Sequence, residues 1–332
     1  MRERLGPDPA ARAPSASDPA PPAPAGTLPA AALESAGANL RVPASIDLHT
    51  HSSASDGALT PAELVHQAAG AGIGLLALTD HDTTAGLDTA VRAAAAVGIE
   101  LVPGVELSAD WRAQSIHILG LWIDPAAPAL SALLAQQAVR RYQRLRSMCE
   151  RLTGLGLPGD ACRRAVEEAP GMPTRMHLAR ALADAGCVQD PEEAFRRYLV
   201  PGRPACIEAD WPALGSVVTT IVAAGGLAVL AHPARYRLSA GARRALLEAF
   251  RAAGGAGLEV VSGGQGGAHA EGLAALARHH GLKGSVGSDF HGPGRTWNPL
   301  GRLAKLPDRL APVWSGVRPT TEQGRSAASL SS

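Results

Sequence analysis

The chain has 332 residues, of which 46% are hydrophobic and 18% are charged, and its formal net charge is +1. This length and composition suit a soluble globular protein with one large domain, or with one core and a smaller insertion. A nearly neutral chain argues against a surface that coats nucleic acid generally, so any attraction for anions must be local.

The cysteines indicate a reducing compartment, and the hydropathy pattern indicates a protein that is neither membrane-spanning nor secreted. Cys149, Cys162, Cys187 and Cys206 stand far apart without a C-x-x-C pair, so neither a zinc ribbon nor a disulfide framework is indicated. No apolar run approaches the roughly 20 residues that span a bilayer, and the N-terminus lacks the apolar core of a secretion signal. We therefore expect a cytoplasmic protein without membrane contact.

Both ends of the chain have the composition of disordered tails. Residues 1–44 are mostly Ala, Pro, Ser and charged residues, which cannot bury enough apolar area to order themselves. We predict a disordered tail there and a second, mostly disordered tail over residues 313–332, which end in Ser-rich sequence.

Between the tails, apolar runs of strand character alternate with helical patterns. The first helix start is Thr60-Pro61, where the hydroxyl can cap the helix and the proline suits its first turn. The alternation predicts a parallel α/β sheet, and seven strands indicate a closed or distorted seven-stranded (β/α)7 barrel. The strands are predicted near Ile46, Leu75–Leu78, Leu101–Leu107, Ile116–Trp122, Leu227–Leu230, Leu258–Val261 and Lys283–Val286.

Residues 125–206 interrupt this alternation, because their apolar residues recur at helical spacing and none of the runs has strand character. We predict an inserted helical cap there. The barrel is then discontinuous, over residues 45–124 and 207–312. Twelve arginines against eight acidic residues between positions 129 and 206 give the insertion about +4 charges. Such a cap suits an anionic substrate, although a solvated helical face would have the same composition.

The motif Asp47-Leu48-His49-Thr50-His51 lies at the end of the first predicted strand. Positions two apart on a strand share a face, so His49 and His51 can both point at one metal ion. Further histidines and acids stand where other predicted strands end, the face at which α/β barrels place their chemistry: Asp56, His81, Glu106, His232, Asp289 and His291. His117 is the exception, because it lies inside a short strand.

Imidazole and carboxylate ligands together suit Zn²⁺, Mn²⁺ or Fe²⁺ better than Ca²⁺ or Mg²⁺. Eight or nine ligands are too many for one ion, so we expect two or three divalent transition-metal ions, with Glu106 as the candidate bridge. Hydrogen-bonded core histidines are the structural alternative. For Asp47, Asp80 and Asp82, ligation and the orienting of a ligand imidazole both stay open.

These motifs, with Gly104-Val105-Glu106, Ala231-His232-Pro233 and Ser288-Asp289-Phe290-His291, together resemble the PHP (polymerase and histidinol phosphatase) family over about residues 45 to 312. Residues 52–57 and the helical insertion are similar to the TrpH-like branch, which includes nucleoside 3′,5′-bisphosphate phosphatases and 5′-to-3′ exoribonucleases. The resemblance implies a trinuclear metal site and a small phosphorylated nucleotide or short RNA as substrate, with no obligate protein partner.

The resemblance also assigns ligands. One ion would take His49, His51, Glu106 and Asp289. A second would share Glu106 and add His117 and His232, and a third would take Asp56, His81 and His291. Many members have histidine where this chain has Asp56, which favours a harder ion or weaker occupancy at the third site.

In the insertion, residues 174–180 are similar to a G-R-P-H-x-A-R segment that helps bind substrate phosphate in this branch, with Thr174 and Met176 replacing the glycine and proline. Arg175 and His177 would then contact a second phosphate, together with Arg235. For Arg235, a solvated loop arginine is the alternative.

The implied mechanism is attack by a metal-bridging hydroxide without a covalent intermediate, with Glu106, Asp289 and His232 as the catalytic residues. Histidinol-phosphate hydrolysis would need the same metal site but a different pocket. A non-catalytic metal-binding or regulatory domain is a further alternative, which the nearly complete ligand set disfavours.

Overall fold

The structure is a computed structural model that describes residues 45–263, 267–293 and 298–315. The predicted N-terminal tail, residues 1–44, lies outside the described residues, as does most of the predicted C-terminal tail. That second tail begins at Val313, which is fully buried and donates its backbone N–H to the carbonyl of Gly284 at 2.9 Å. In the described part of the chain, no helix is both long and apolar enough to cross a membrane.

Seven strands follow one another in chain order around a single sheet, which confirms the predicted seven-stranded barrel. Most neighbouring pairs are parallel, as the alternation with helices predicts. The strands are β1 (Ile46–Asp47), β2 (Leu75–Leu78), β3 (Glu100–Trp111), β4 (Gln114–Leu121), β5 (Leu227–Leu230), β6 (Gly257–Ser262) and β7 (Lys283–Gly287).

The fourth strand, β4, runs antiparallel to both β3 and β5, so the prediction of an all-parallel sheet is wrong at this strand. Only Arg112 and Ala113 connect β3 to β4, whereas a parallel connection needs a dozen or more residues. Both residues have positive φ, 52° and 59°, as the tight turn of a twisted hairpin requires. The hairpin register places His117 opposite Ser108, two residues beyond Glu106.

The two ends of the sheet meet, and this closure brings distant motifs together. Leu48 donates its N–H to the carbonyl of Val286 at 3.0 Å, and His51 donates to Phe290 at 2.9 Å. In return, Asp289 donates its N–H to the carbonyl of His49 at 2.8 Å. The barrel therefore aligns the backbone of the first motif with that of the last, although 240 positions separate them along the chain.

The described residues form nine α-helices and two short segments of other helical type. Helix α1 begins with a capping box, in which the Thr60 hydroxyl accepts from the Glu63 N–H at 3.3 Å while the Glu63 carboxylate accepts from the Thr60 N–H at 2.8 Å. The helices are α1 (Pro61–Gly70), α2 (Leu87–Val97), α3 (Pro128–Gly154), α4 (Gly159–Glu167), α5 (Arg175–Asp184), α6 (Pro191–Ala194), α7 (Leu214–Ala223), α8 (Ala240–Ala252) and α9 (Gly267–His279). Phe195–Leu199 is a π-helix and Pro233–Arg235 a 3₁₀ turn.

The helices between β4 and α7 bury an apolar cluster of their own. Helix α3 connects this cluster to the barrel, because Leu130 and Leu133 near its start pack in the barrel core, whereas Leu145 and Met148 pack in the helical cluster. The spacing of apolar residues predicted this helix. Its length of 27 residues lets one continuous element contribute to both cores.

Candidate active site

The predicted metal ligands converge on one cavity of about 360 Å³ at the end of the barrel. Seven of them line it: Asp56, His81, Glu106, His117, His232, Asp289 and His291. The two histidines of the first motif, His49 and His51, are fully buried beside them. The placement follows from the barrel, since the carboxyl ends of parallel strands open to the same side.

Glu106 lies at the centre of this cluster, with its carboxylate fully buried and shared among five imidazoles. One oxygen, Oε2, lies 3.4 Å from His49 Nε2, 3.3 Å from His51 Nε2 and 2.9 Å from His81 Nδ1. The other, Oε1, lies 2.8 Å from His117 Nδ1 and 3.0 Å from His232 Nε2. Each oxygen thus faces a different group of imidazoles, which is the arrangement that a bridging carboxylate requires.

Asp289 provides the second central carboxylate. Its Oδ1 lies 3.4 Å from His49 Nε2 and 3.1 Å from His51 Nε2, and its Oδ2 forms an ion pair with Arg235. The backbone of Asp289 has φ of 54°, a left-handed conformation that non-glycine residues rarely adopt. His232 is held in the same region, with φ of 29°. Such backbone strain is concentrated where a fold fixes functional side chains.

Asp56 connects the histidine cluster to the helical insertion. Its Oδ1 lies 3.2 Å from His291 Nε2, and its Oδ2 lies 3.9 Å from His81 Nε2. The Thr174 hydroxyl, which also caps the start of α5, donates to Oδ2 at 2.8 Å. Asp56 therefore has one oxygen toward the imidazoles and the other held by the insertion.

The side chains form three groups whose potential ligand atoms lie within 4.8 Å of one another. One group coincides with the first set that the family resemblance implies. The other two groups differ from the implied sets, because His81 belongs to both, once with Asp56 and once with Glu106 and His117. His232 contacts Glu106 but belongs to none of the three groups. The groups are His49, His51, Glu106 and Asp289; His51, Asp56, His81 and His291; and His81, Glu106 and His117.

Several of these buried atoms are in close contact with one another but form no well-directed hydrogen bond with the described residues, including His49 Nε2, both ring nitrogens of His51 and Glu106 Oε2. A buried polar atom without a partner costs about 1 to 3 kcal/mol, so a cluster of them is unfavourable unless another group satisfies it. Divalent cations satisfy imidazole nitrogens and carboxylate oxygens together. The residues present therefore fit a multinuclear metal centre.

The pKa values of the site residues differ with the balance between burial and neighbouring charge. Burial would lower the pKa of His51, but the nearby carboxylates of Asp289 and Glu106 outweigh it and raise the pKa to about 10. For His81 burial prevails and lowers the pKa to about 4. Burial would raise the pKa of Glu106, but the surrounding imidazoles hold it well below its usual range. The carboxylate is thus charged, as a metal ligand must be.

Comparison with known proteins identifies the family. Residues 47–156 match the family model of the PHP domain. A 3′,5′-nucleoside bisphosphate phosphatase from Chromobacterium violaceum is 45% identical over 273 residues, which cover 82% of this chain and 95% of that relative. The chain belongs to the PHP family. The predicted family, and with it the prediction of an enzyme that hydrolyses phosphate esters, is confirmed.

Other relatives and solved structures agree with this PHP assignment. A 5′-3′ exoribonuclease from Haemophilus influenzae is 45% identical over 268 residues, covering 81% of this chain and 97% of the relative. A Chromobacterium violaceum structure described as an amidohydrolase, with bound sulfate and no metal, has a TM-score of 0.77 at 44% identity and covers 82% of this chain and 95% of its own. A Bifidobacterium adolescentis structure has a TM-score of 0.68 at 33% identity and covers 81% of this chain and 93% of its own.

One residue of this PHP chain that the sequence patterns missed is Glu259 on β6. It is fully buried, and its carboxylate lies 3.2 and 3.3 Å from His49 Nδ1 while accepting the backbone N–H of His232 at 2.5 Å. A carboxylate on the far nitrogen fixes the ring so that the other nitrogen faces the metal. Its signal in the sequence is a single acid within the apolar run 257–261.

Gly287 leaves the space that this contact needs. A side chain there would place its Cβ 2.2 Å from the Cβ of His49 and 2.5 Å from Oε1 of Glu259, distances that real atoms do not reach. The glycine at the end of β7 therefore permits the contact between His49 and Glu259.

The aspartates that border the histidines hold the backbone of the loops. Asp47 Oδ1 accepts the N–H of Ser288 at 2.9 Å, and Asp80 accepts from the N–H and hydroxyl of Ser52 at 2.8 and 2.6 Å. Asp82 Oδ2 accepts from Arg141 at 2.6 Å and Oδ1 accepts the N–H of Ser108 at 2.8 Å. Among the described hydrogen bonds, none joins these three carboxylates to a site imidazole, so they position the loops from which the histidines project.

The predicted substrate-binding residues separate into two groups. Arg175 and Arg235 both line the cavity of the metal cluster. Arg175 donates from Nη1 to the carbonyl of Leu199 at 3.1 Å and lies 5.5 Å from the centre of the Phe195 ring. His177 does not join them, because its Nδ1 accepts the N–H of Thr174 at 3.1 Å and its side chain lines a different cavity of about 490 Å³.

Proposed function

We propose that this chain hydrolyses nucleoside 3′,5′-bisphosphates and removes nucleotides from the 5′ end of short RNA in a metal-dependent reaction. The observation that carries the proposal is one cavity that joins the histidine and carboxylate cluster to Arg175 and Arg235. The similar Chromobacterium structure holds bound sulfate, which supports an anionic substrate. Relatives of 45% identity bear the names of both activities.

In this proposal the nine predicted ligands hold two or three Mn²⁺, Fe²⁺ or Zn²⁺ ions: His49, His51, Asp56, His81, Glu106, His117, His232, Asp289 and His291. When bound, such ions would supply an activated water at neutral pH and polarise phosphoryl oxygens. Support comes from the three overlapping groups of donor atoms and from their unpaired buried nitrogens and oxygens.

The chain's own residues supply position and charge. Glu106, charged and fully buried, holds the two halves of the cluster together through its separate oxygens. Arg235 is paired with Asp289 and has a side chain 38% exposed at the cavity lining, where its guanidinium can donate hydrogen bonds to the oxygens of the reacting phosphate. His232 is held by Glu259 through its backbone and contacts Glu106 through its ring, which fixes it between the two carboxylates.

Residues 125–206 act in this proposal as a cap on the barrel of residues 45–124 and 207–312. Besides the bond between Thr174 and Asp56, Arg180 donates to the Asp56 carbonyl at 2.8 Å, and Met172 donates its N–H to the Ala54 carbonyl at 2.7 Å. These bonds fix the start of α5 over the loop after β1. Arg175, the first residue of that helix, is thereby directed into the cavity, where it would hold the phosphate that is not cut.

We also assign the enzyme to the cytoplasm. Burial raises the pKa of Cys149 to about 11 and that of Cys162 to about 12, so these thiols stay protonated and unreactive. All four cysteines are free in the structure, as suits a reducing compartment.

The test is phosphate or nucleotide release by Mn²⁺-loaded protein from three substrates side by side. We expect turnover of adenosine 3′,5′-bisphosphate and of a short 5′-phosphorylated RNA, and little turnover of histidinol phosphate. Metal-stripped protein and the Glu106→Gln variant serve as controls. Activity on histidinol phosphate alone, or equal activity in the stripped protein, would refute the proposed function.

A further inference from the structure

Beside the active site lies a cavity of about 680 Å³, which is not the one that His177 lines and is called the second cavity below. The two cavities share three lining residues, Glu192, Phe195 and Arg235, so one opens directly beside the other. A nucleoside bisphosphate would occupy the first cavity, whose lining holds the metal ligands and Arg175. The second cavity is unused by the chemistry proposed above.

The second cavity is strongly basic. Four arginines line it, Arg196, Arg203, Arg235 and Arg237, against the single acid Glu192. Among the described residues, none forms a direct ion pair with Arg196, Arg203 or Arg237, and all three arginines are exposed. By contrast Arg197, the neighbour of Arg196, forms an ion pair with Glu193 at 3.1 Å. Exposed cations that outnumber the acid on one concave surface form a site for several anionic groups.

Ordered backbone carries these arginines. Arg196 belongs to the π-helix Phe195–Leu199, a rare element that is common at functional sites. The turn after it is closed by a hydrogen bond from the Arg203 N–H to the Val200 carbonyl at 3.0 Å. The cavity wall on this side is therefore a structured turn.

The opposite wall is anchored in the active site itself. Tyr236 stands between Arg235 and Arg237, is buried, and has its ring centre 5.6 Å from that of His232. Its hydroxyl accepts the N–H of His117 at 2.9 Å. The segment thus places Arg235 on the lining of both cavities and Arg237 on the lining of the second cavity.

We infer that this basic cavity binds the phosphodiester backbone of single-stranded RNA on the far side of the bond that is cut. The inference rests on the proposed function and specifies how the same site accepts a chain rather than a mononucleotide. Arginine contacts to phosphates carry no sequence information, so the cavity would hold any sequence. A nucleoside bisphosphate lacks the further phosphates that this cavity contacts.

The test removes the three charges and leaves the metal cluster intact. The variant R196Q/R203Q/R237Q is compared with R146Q/R163Q/R197Q, which removes three exposed arginines outside the cavity and changes the net charge equally. We measure kcat/KM on adenosine 3′,5′-bisphosphate and on a short 5′-phosphorylated oligoribonucleotide at several salt concentrations. Binding of a hydrolysis-resistant phosphorothioate form of that oligonucleotide is measured by fluorescence anisotropy.

For the cavity variant, we expect kcat/KM and affinity for the oligonucleotide to fall about tenfold or more, because three charged contacts are lost. The slope of log affinity against log salt should flatten by about 2, since each single-strand phosphate contact contributes about 0.7. Activity on the bisphosphate and all properties of the control variant should stay near wild type. Unchanged oligonucleotide binding, or an equal loss on both substrates, would overturn the inference. Failure of the wild-type protein on both substrates would instead refute the proposed function.

Discussion

Substitution of Arg175 by alanine separates substrate recognition from chemistry. Arg175 lines the cavity from the insertion and is absent from the three groups of donor atoms, so its loss should leave metal content unchanged. Guanidinium has five N–H donors, and the hydrogen bond to the Leu199 carbonyl uses Nη1. Enough donors remain for a bidentate contact with the phosphate that is not cut.

The expected loss follows from that contact. Removing a charged hydrogen-bonding partner costs about 2 to 3 kcal/mol, which corresponds to a decrease of about 30- to 160-fold in kcat/KM for adenosine 3′,5′-bisphosphate. An aryl phosphate such as p-nitrophenyl phosphate has no second phosphate, so its hydrolysis should change little. Arg175→Lys should recover only part of the loss, since it keeps the charge without the paired donors.

The assay compares kcat/KM of both substrates for wild type, Arg175→Ala and Arg197→Ala, with metal content measured in each preparation. Arg197 is an exposed arginine of the same insertion and is engaged with Glu193, so its removal controls for the loss of one positive charge. Equal losses on both substrates would place Arg175 in the catalytic or structural machinery. No loss on either would refute its role in phosphate binding.

Three further predictions concern the metal centre. Elemental analysis of metal-replete protein should find two to three transition-metal ions per chain, and a ratio of one or none contradicts a multinuclear site. Glu106→Gln should lose activity and metal together, because both carboxylate oxygens face imidazoles; near wild-type turnover with full metal content would disprove the bridge. Glu259→Gln should keep its fold yet bind metal about 10- to 100-fold more weakly, because the amide orients His49 less well than the carboxylate does. A metal titration monitored by calorimetry tests this, and unchanged affinity would show that Glu259 only fills space.

The acids and histidines of the site could be predicted from the sequence because most of them directly follow a predicted strand. Four of the seven strands begin and end within one residue of the predicted bounds, and β1 lies at the predicted Ile46. Acids and histidines directly after a buried strand must lie at the mouth of a barrel. The reversal of β4 was the exception. Eight positions separated the predicted strands Leu101–Leu107 and Ile116–Trp122, too few for a helical crossover, but Arg112-Ala113 lacks the glycine or asparagine that normally marks a tight hairpin turn.

Residues that act through others were harder to find. Glu259 lies alone in an apolar strand, and its partner His49 is 210 positions away, so only the closed barrel shows the contact. His177 shows the opposite case. The segment 174–180 keeps the residue types that suggest phosphate binding, but the threonine at its start forms a capping box, and the ring of His177 completes that cap.

The hydrogen bond between Thr174 and Asp56 has a consequence for protein engineering. The loop after β1 and the first turn of α5 should be exchanged between relatives together, because Asp56 of the loop accepts a hydrogen bond from Thr174, the cap of α5. A chimaera that keeps this insertion but receives residues 52–57 from a relative with histidine at position 56 would set an imidazole against the Thr174 hydroxyl at the cap of the helix. Modular grafting of specificity in this scaffold should therefore move residues 52–57 together with residues 125–206, as a matched pair of segments.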